Sequence, residues 1–89
     1  MGRPKHRSIH DARYRSLIGE LVKLRKLKGI SQCELAKRLN LLQSDISKIE
    51  QYQRRVDVLE TILWLDALGE GHPGALLAEI VAQIYANPG

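Results

Sequence analysis

The strongest constraint on this chain lies between Ser31 and Gln51, where two short apolar-periodic segments stand almost back to back. The first opens on Ser31-Gln32-Cys33-Glu34. In such a capping box the serine hydroxyl accepts from the amide three residues on, and the glutamate reaches back to the serine amide. Leu35, Ala36 and Leu39 share the inner face of a helix ending near Leu39, and Ala36 is small where two helices would cross closely. Asn40 follows, a residue that tolerates the left-handed conformation of a tight exit. At 100° per residue the next segment, about Gln43 to Tyr52, puts Leu42, Ile46 and Ile49 on the core side. The opposite side then carries Ser44, Ser47, Lys48 and Gln51.

The flanking sequence predicts three more helices. Tyr14, Leu17, Ile18, Leu21, Leu24 and Leu27 recur at helical spacing from Asp11 to Lys28, with Gly29 at the exit. A fourth helix runs from the N-cap Asp57 to Leu68 and is apolar almost all round, through Val58, Leu59, Ile62, Leu63, Trp64, Leu65 and Leu68. The breaker segment 69–74 precedes a fifth helix, about Ala75 to Ala86, before Asn-Pro-Gly. No stretch alternates with period two. The expectation is an all-α domain of five helices: a flexible basic arm over residues 1–10, a functional unit over 11–70, and a C-terminal helix within 71–89.

At 89 residues, a chain of this size has room for one modest core and not for a deep multilayer enzyme. Neither a membrane span nor a signal peptide is expected, which makes a bacterial-type cytoplasm, or the nucleus, the default location. Cys33 is the sole cysteine, so no internal disulfide is expected. His6, His10 and His72 lack metal-ligand spacing. No catalytic constellation, cofactor or small-molecule effector site is expected.

Charge divides the chain sharply. Residues 1–30 hold nine bases and two acids, whereas residues 56–89 hold five acids and no base. A polyanion-facing end and an end with different work account for such asymmetry.

The segment from Gln32 to Gln51 resembles a helix-turn-helix, and its surroundings resemble the phage repressor and Cro type, the XRE family. Carrying residues include Leu24-Arg25-Lys26, Ile30-Ser31-Gln32, Glu34-Leu35-Ala36 and Gln43 to Glu50. Arg54-Arg55-Val56-Asp57-Val58 and Ala67-Leu68-Gly69 continue it. The match spans about residues 17–70. It implies a compact phage-repressor-like fold and sequence-specific binding of double-stranded DNA, with the third helix in the major groove. It also implies that Arg25 pairs with Glu50 and is presented to a phosphate, and that Gln32 holds a phosphate at the start of the second helix. Two departures stand out: Leu42 sits where Ser, Thr or Pro commonly opens the third helix, and Asp45 places a carboxylate near the expected phosphates.

Residue chemistry supplies the rest of the expected interface. Short hydroxyl and amide side chains can approach base edges, which nominates Gln43, Ser44, Lys48, Ser47 and Gln51; Gln43 can offer a bidentate amide to adenine. The bland alternative makes the serines merely small solvated residues. Arg54 and Arg55 are expected phosphate clamps, with Lys37 and Arg38 as weaker candidates. Arg3, Lys5 and Arg7 would follow the backbone or enter the minor groove, since Gly2-Arg3-Pro4-Lys5 resembles the core of an AT-hook.

The fourth and fifth helices are expected to form a homodimer through Leu63, Trp64, Leu77, Ile80, Val81, Ile84 and Tyr85. Two recognition helices would then lie one turn of DNA apart. The resulting expectation is a transcriptional regulator repressing by occlusion. The alternatives are an antitoxin that binds a toxin partner through its acidic end, a protein-interaction module, and a sequence-neutral architectural DNA binder.

Overall fold

Asp11 starts the first helix because its carboxylate accepts the Arg13 amide at 2.8 Å. The Arg13 guanidinium closes on the same group at 3.1 Å. That side-chain hydrogen bond leads in holding the Asp11 carboxyl down to about 2. The computed structural model describes residues 9–69 and 72–86. The helices are α1 (Ala12–Leu27), α2 (Gln32–Leu39), α3 (Gln43–Glu50), α4 (Val58–Ala67) and α5 (Pro73–Ala86). No strand occurs among the described residues. The arm residues Arg3, Lys5 and Arg7 lie outside them, as do Glu70, Gly71 and the terminal Asn-Pro-Gly.

The all-helical expectation holds, and the turns explain why. Ser31 Oγ accepts the Glu34 amide at 3.0 Å. Asn40 takes the left-handed conformation at φ 59°, and the Leu41 amide then reaches back to the Ala36 carbonyl at 2.9 Å. Only half of the expected Ser31 box forms: the Glu34 carboxylate turns instead to Arg38, four residues on, at 3.0 Å. Arg38 also donates to the Ala67 carbonyl, which ties α2 to the end of α4.

Leu42 corrects another expectation. It is 69% exposed rather than core-facing. Its backbone, at φ −84° and ψ 151°, is the extended residue before α3, so helical increments do not apply to it. Without a capping hydroxyl, α3 is closed from the other side: Asp45 accepts the Leu42 amide at 3.0 Å. That bond disposes of the carboxylate that seemed misplaced.

The core joins Ile18 and Leu21 of α1 to Leu35 and Leu39 of α2, Ile46 and Ile49 of α3, Trp64 and Leu65 of α4, and Ile80 of α5. Trp64 is wholly buried, and its indole N–H donates to the Leu21 carbonyl at 3.3 Å. α2 packs on both α3 and α4, while α5 closes over α1 and α4. Gly19 is exposed, with nothing within 4 Å of where a Cβ would lie, so close packing does not explain it.

α3 ends in an unusual way. The Tyr52 amide donates to the Ile49 carbonyl at 3.1 Å and the Gln53 amide to the Lys48 carbonyl at 2.8 Å. This is the pattern of a Schellman motif, whose left-handed position normally takes glycine. Here Tyr52 occupies it, at φ 62°. A bulky side chain there costs on the order of 1–2 kcal/mol.

Candidate nucleic-acid interface

α3 lies with Ile46 and Ile49 inward, and Gln43, Ser44, Lys48 and Gln51 exposed; Ser47 is half-buried. Ser47 and Gln51 bond to each other, the amide donating to the hydroxyl at 3.1 Å. Gln43 stands at the first turn and is held from behind. Its Nε2 donates to Gln32 Oε1 at 2.7 Å, and Gln32 Nε2 donates to Glu50 Oε1 at 2.8 Å. Glu50 also receives Arg25 Nε at 2.7 Å and Nη2 at 3.0 Å.

The chemistry of this chain fixes its direction. An ionised carboxylate only accepts, so Gln32 must turn its NH2 toward Glu50. Its oxygen is therefore left for Gln43, which must answer with N–H. Gln43 Oε1 and a second N–H remain to face outward, the pair that adenine N6 and N7 require. The Arg25 and Glu50 side chains are each 8% exposed, so the base of the relay is shielded from solvent. Arg25 spends its remaining reach on the Ile30 carbonyl at 2.8 Å.

The cations sort by partner. Arg54 grips Glu60 with both terminal nitrogens, at 3.0 and 2.9 Å, and lies 3.8 Å from Asp45. Glu60 in turn accepts the Asp57 amide, while Asp57 accepts the Glu60 amide, so Arg54 is welded to the cap of α4. Arg54 hydrogen-bonding draws the Glu60 carboxyl below its usual range. Arg55 lies over the Tyr14 ring at 4.9 Å, and Arg15 over the Tyr52 ring at 4.1 Å. Lys37 and Lys48 are exposed and form no ion pair among the described residues.

No protein-family model matches this sequence, and no curated protein matches it. Among solved structures, the chain is similar to an XRE-family like protein from Pseudomonas syringae pv. tomato str. DC3000. The two are 43% identical with a TM-score of 0.74, over 84% of this chain and 90% of the other. The chain belongs to the XRE family. It is by that membership of the helix-turn-helix DNA-binding type, and the α2–α3 pair is the helix-turn-helix.

Against this XRE frame, several expected sites move. Arg54, expected as a phosphate clamp, is engaged by Glu60 and lies near Asp45 in the folded chain. Arg25 does pair with Glu50, and the pair is buried rather than presented at the surface. Trp64 and Ile80, expected at a dimer surface, are core residues instead. An apolar helix gives the sequence reader no direction; here Trp64 points in because its indole finds the Leu21 carbonyl. The outward apolar side of α4 is Val58, Leu59, Ile62 and Leu63, of which only Leu63 was expected there. On α5, Val81 and Tyr85 are exposed, while Leu77 and Ile84 are half-buried against the core. Arg15 was missed altogether, because its partner Tyr52 lies far along the chain. Among the described residues no cluster of His, Cys, Asp or Glu could hold a metal ion, and no helix is long and apolar enough to cross a membrane.

Proposed function

We propose that this XRE-family chain is a homodimeric, sequence-specific reader of double-stranded DNA that represses transcription by occluding a promoter. α3 enters the major groove. Gln43 reads adenine, and Lys48 donates to guanine or to a phosphate. Ser44, Ser47 and Gln51 line the groove behind them. Gln32 keeps one N–H for a phosphate at the amide-rich start of α2, with Lys37 and Arg55 on the flanks. The single observation that carries this reading is the relay from Arg25 and Glu50 through Gln32 to Gln43. It immobilises an outward amide on the polar, charge-poor outer face of α3, which an ordinary solvated helix has no reason to do.

The apolar outer side of α4, with Val81 and Tyr85 of α5, supports a two-fold contact between copies. The absence of bases after Arg55 keeps that contact away from DNA. Selection from a random duplex library at about 150 mM salt, where phosphate-only binding is suppressed, tests the reading. The expected result is a two-fold symmetric site with half-sites about ten base pairs apart and an adenine in each half-site that Gln43→Ala makes degenerate. Failure to enrich any sequence, at that salt and at low salt, would overturn it in favour of a protein-interaction module or a sequence-neutral DNA binder.

A further inference from the structure

We propose that Arg15, on α1, is a backbone-phosphate contact of the DNA interface, held in place by Tyr52 at the exit of α3. The inference rests on the DNA-reading function proposed above and extends it to a helix outside the helix-turn-helix.

Tyr52 sits at the left-handed position of the α3 C-terminus, where glycine would be unstrained. A tyrosine there needs a use for its ring, and the ring carries the Arg15 guanidinium at 4.1 Å. One residue earlier on α1, the pairing is reversed: Tyr14 lies beneath Arg55, and its hydroxyl accepts the Val56 amide at 3.0 Å. Two adjacent residues of α1 thus cross-stitch the segment 52–56 that leads out of the recognition helix.

The other arginines of the described helices are spent on carboxylates: Arg13 on Asp11, Arg25 on Glu50, and Arg38 on Glu34. Arg54, in the loop, is spent on Glu60. Arg15 is exposed and has no carboxylate partner among the described residues. Stacking on a ring face occupies none of its five N–H donors. They remain in the guanidinium plane, restricted in rotation and ready for a phosphate oxygen.

Position completes the case. A helix in the major groove is flanked by phosphates at both ends. Gln32 and the first amides of α2 serve the start of α3. With Arg54 withdrawn to Glu60, the far end is served by Arg15, with Arg55 beside it. Stacking at the C-terminus of α3 also sets this charge where the helix dipole favours a cation.

The test compares wild type with Arg15→Ala, Arg15→Lys and Tyr52→Gly, on the duplex recovered by selection and on a random-sequence duplex of equal length, across a salt series. Arg15→Ala is expected to weaken both duplexes alike, by about tenfold at low salt, and to reduce the salt slope by about 0.9. Arg15→Lys should keep the slope and lose part of the affinity. Tyr52→Gly, which relieves the backbone while removing the ring, should weaken binding without a fall in melting temperature. An unchanged slope in Arg15→Ala, with a lowered melting temperature, would make Arg15 a structural staple and overturn the proposal. If wild type binds neither duplex, the DNA-reading function itself fails; the Arg15 result is read only when wild type binds.

Discussion

The α2–α3 pair and the α4–α5 pair are built on similar cores and differ in what they leave outside. Around α2 and α3 the outward groups are polar and held: Gln43 by Gln32, Gln32 by Glu50, Gln51 by Ser47. Around α4 and α5 large apolar groups, Val58, Leu59, Ile62, Leu63, Val81 and Tyr85, stand outward, and nothing within the described chain buries them. Holding polar side chains in one arrangement costs rotamer entropy, and it is worthwhile where an incoming group must find donors and acceptors already placed. Leaving Leu59 and Ile62 in water costs hydrophobic free energy, which only an apolar partner recovers. The two halves therefore present different surfaces, held polar groups on one and uncovered apolar groups on the other.

The largest expected effect tests whether α4 has the two sides described. Trp64→Ala removes a fully buried ring and its bond to Leu21, and should cost about 3–5 kcal/mol of stability, read by chemical denaturation. Lys48→Ala should leave stability within about 0.5 kcal/mol while changing which duplexes are preferred. A small loss for Trp64→Ala would place its indole at a surface and undo the division.

Next comes the relay. Glu50→Ala leaves the Arg25 guanidinium buried without its carboxylate, and should cost about 3 kcal/mol. It also frees Gln32 to turn either way, so Gln43 loses its imposed orientation. The folded fraction should then discriminate poorly at the adenine position, measured by repeating the selection below the melting temperature. Retained discrimination would mean that Gln43 reads its base without help from behind.

These two cases also mark how far the sequence could be read. Helix positions were legible because Leu and Ile recur at helical spacing and because Ser31, Asn40 and Gly29 sit where caps and left-handed turns need them. The Arg25–Glu50 pair was legible only through family resemblance. What escaped were choices among competing partners. Glu34 had Ser31 behind it and Arg38 ahead, and chose the stronger charge-assisted bond. Arg54 lay beside Arg55 with nothing local to show that Glu60, already drawn inward by the Asp57 cap, would claim it. Tyr52 and Arg15 meet across 37 positions, beyond the reach of any local pattern. Leu42 was misplaced for a different reason: wheel arithmetic was applied one residue before the helix begins.

The apolar face of α4 yields the third expectation. Leu59 is 62% exposed, so Leu59→Ser should change the stability of an isolated chain little. In a two-fold contact every substitution appears twice. With roughly 1.5 kcal/mol for each buried leucine, the dimer should dissociate about 100-fold more readily in sedimentation. A wild-type chain that stays monomeric at every concentration would assign the face to a different protein, the outcome an antitoxin-like role would give.

The smallest effect decides where the boundary between the two halves runs, because Arg54 stands on the loop that joins them. Its side chain is 32% exposed and that of Glu60 18%, so solvent screens the pair and Arg54→Ala should cost only about 1 kcal/mol. The pH dependence is more telling. Arg54 holds the Glu60 carboxyl below its ordinary 4.5 in the folded chain. A depressed folded value contributes stability that is complete above the unfolded value and is lost as pH falls through the folded one. Wild type should therefore lose this contribution below about pH 4.5, and Arg54→Ala should show a shallower acid decline over the same range. If Arg54 belongs to the scaffold of α4, that flattening appears and the salt slope of DNA binding stays put. If the slope falls and the acid profile does not move, Arg54 exchanges Glu60 for a phosphate on binding. The polar half of the molecule would then extend one residue further than the folded chain alone displays.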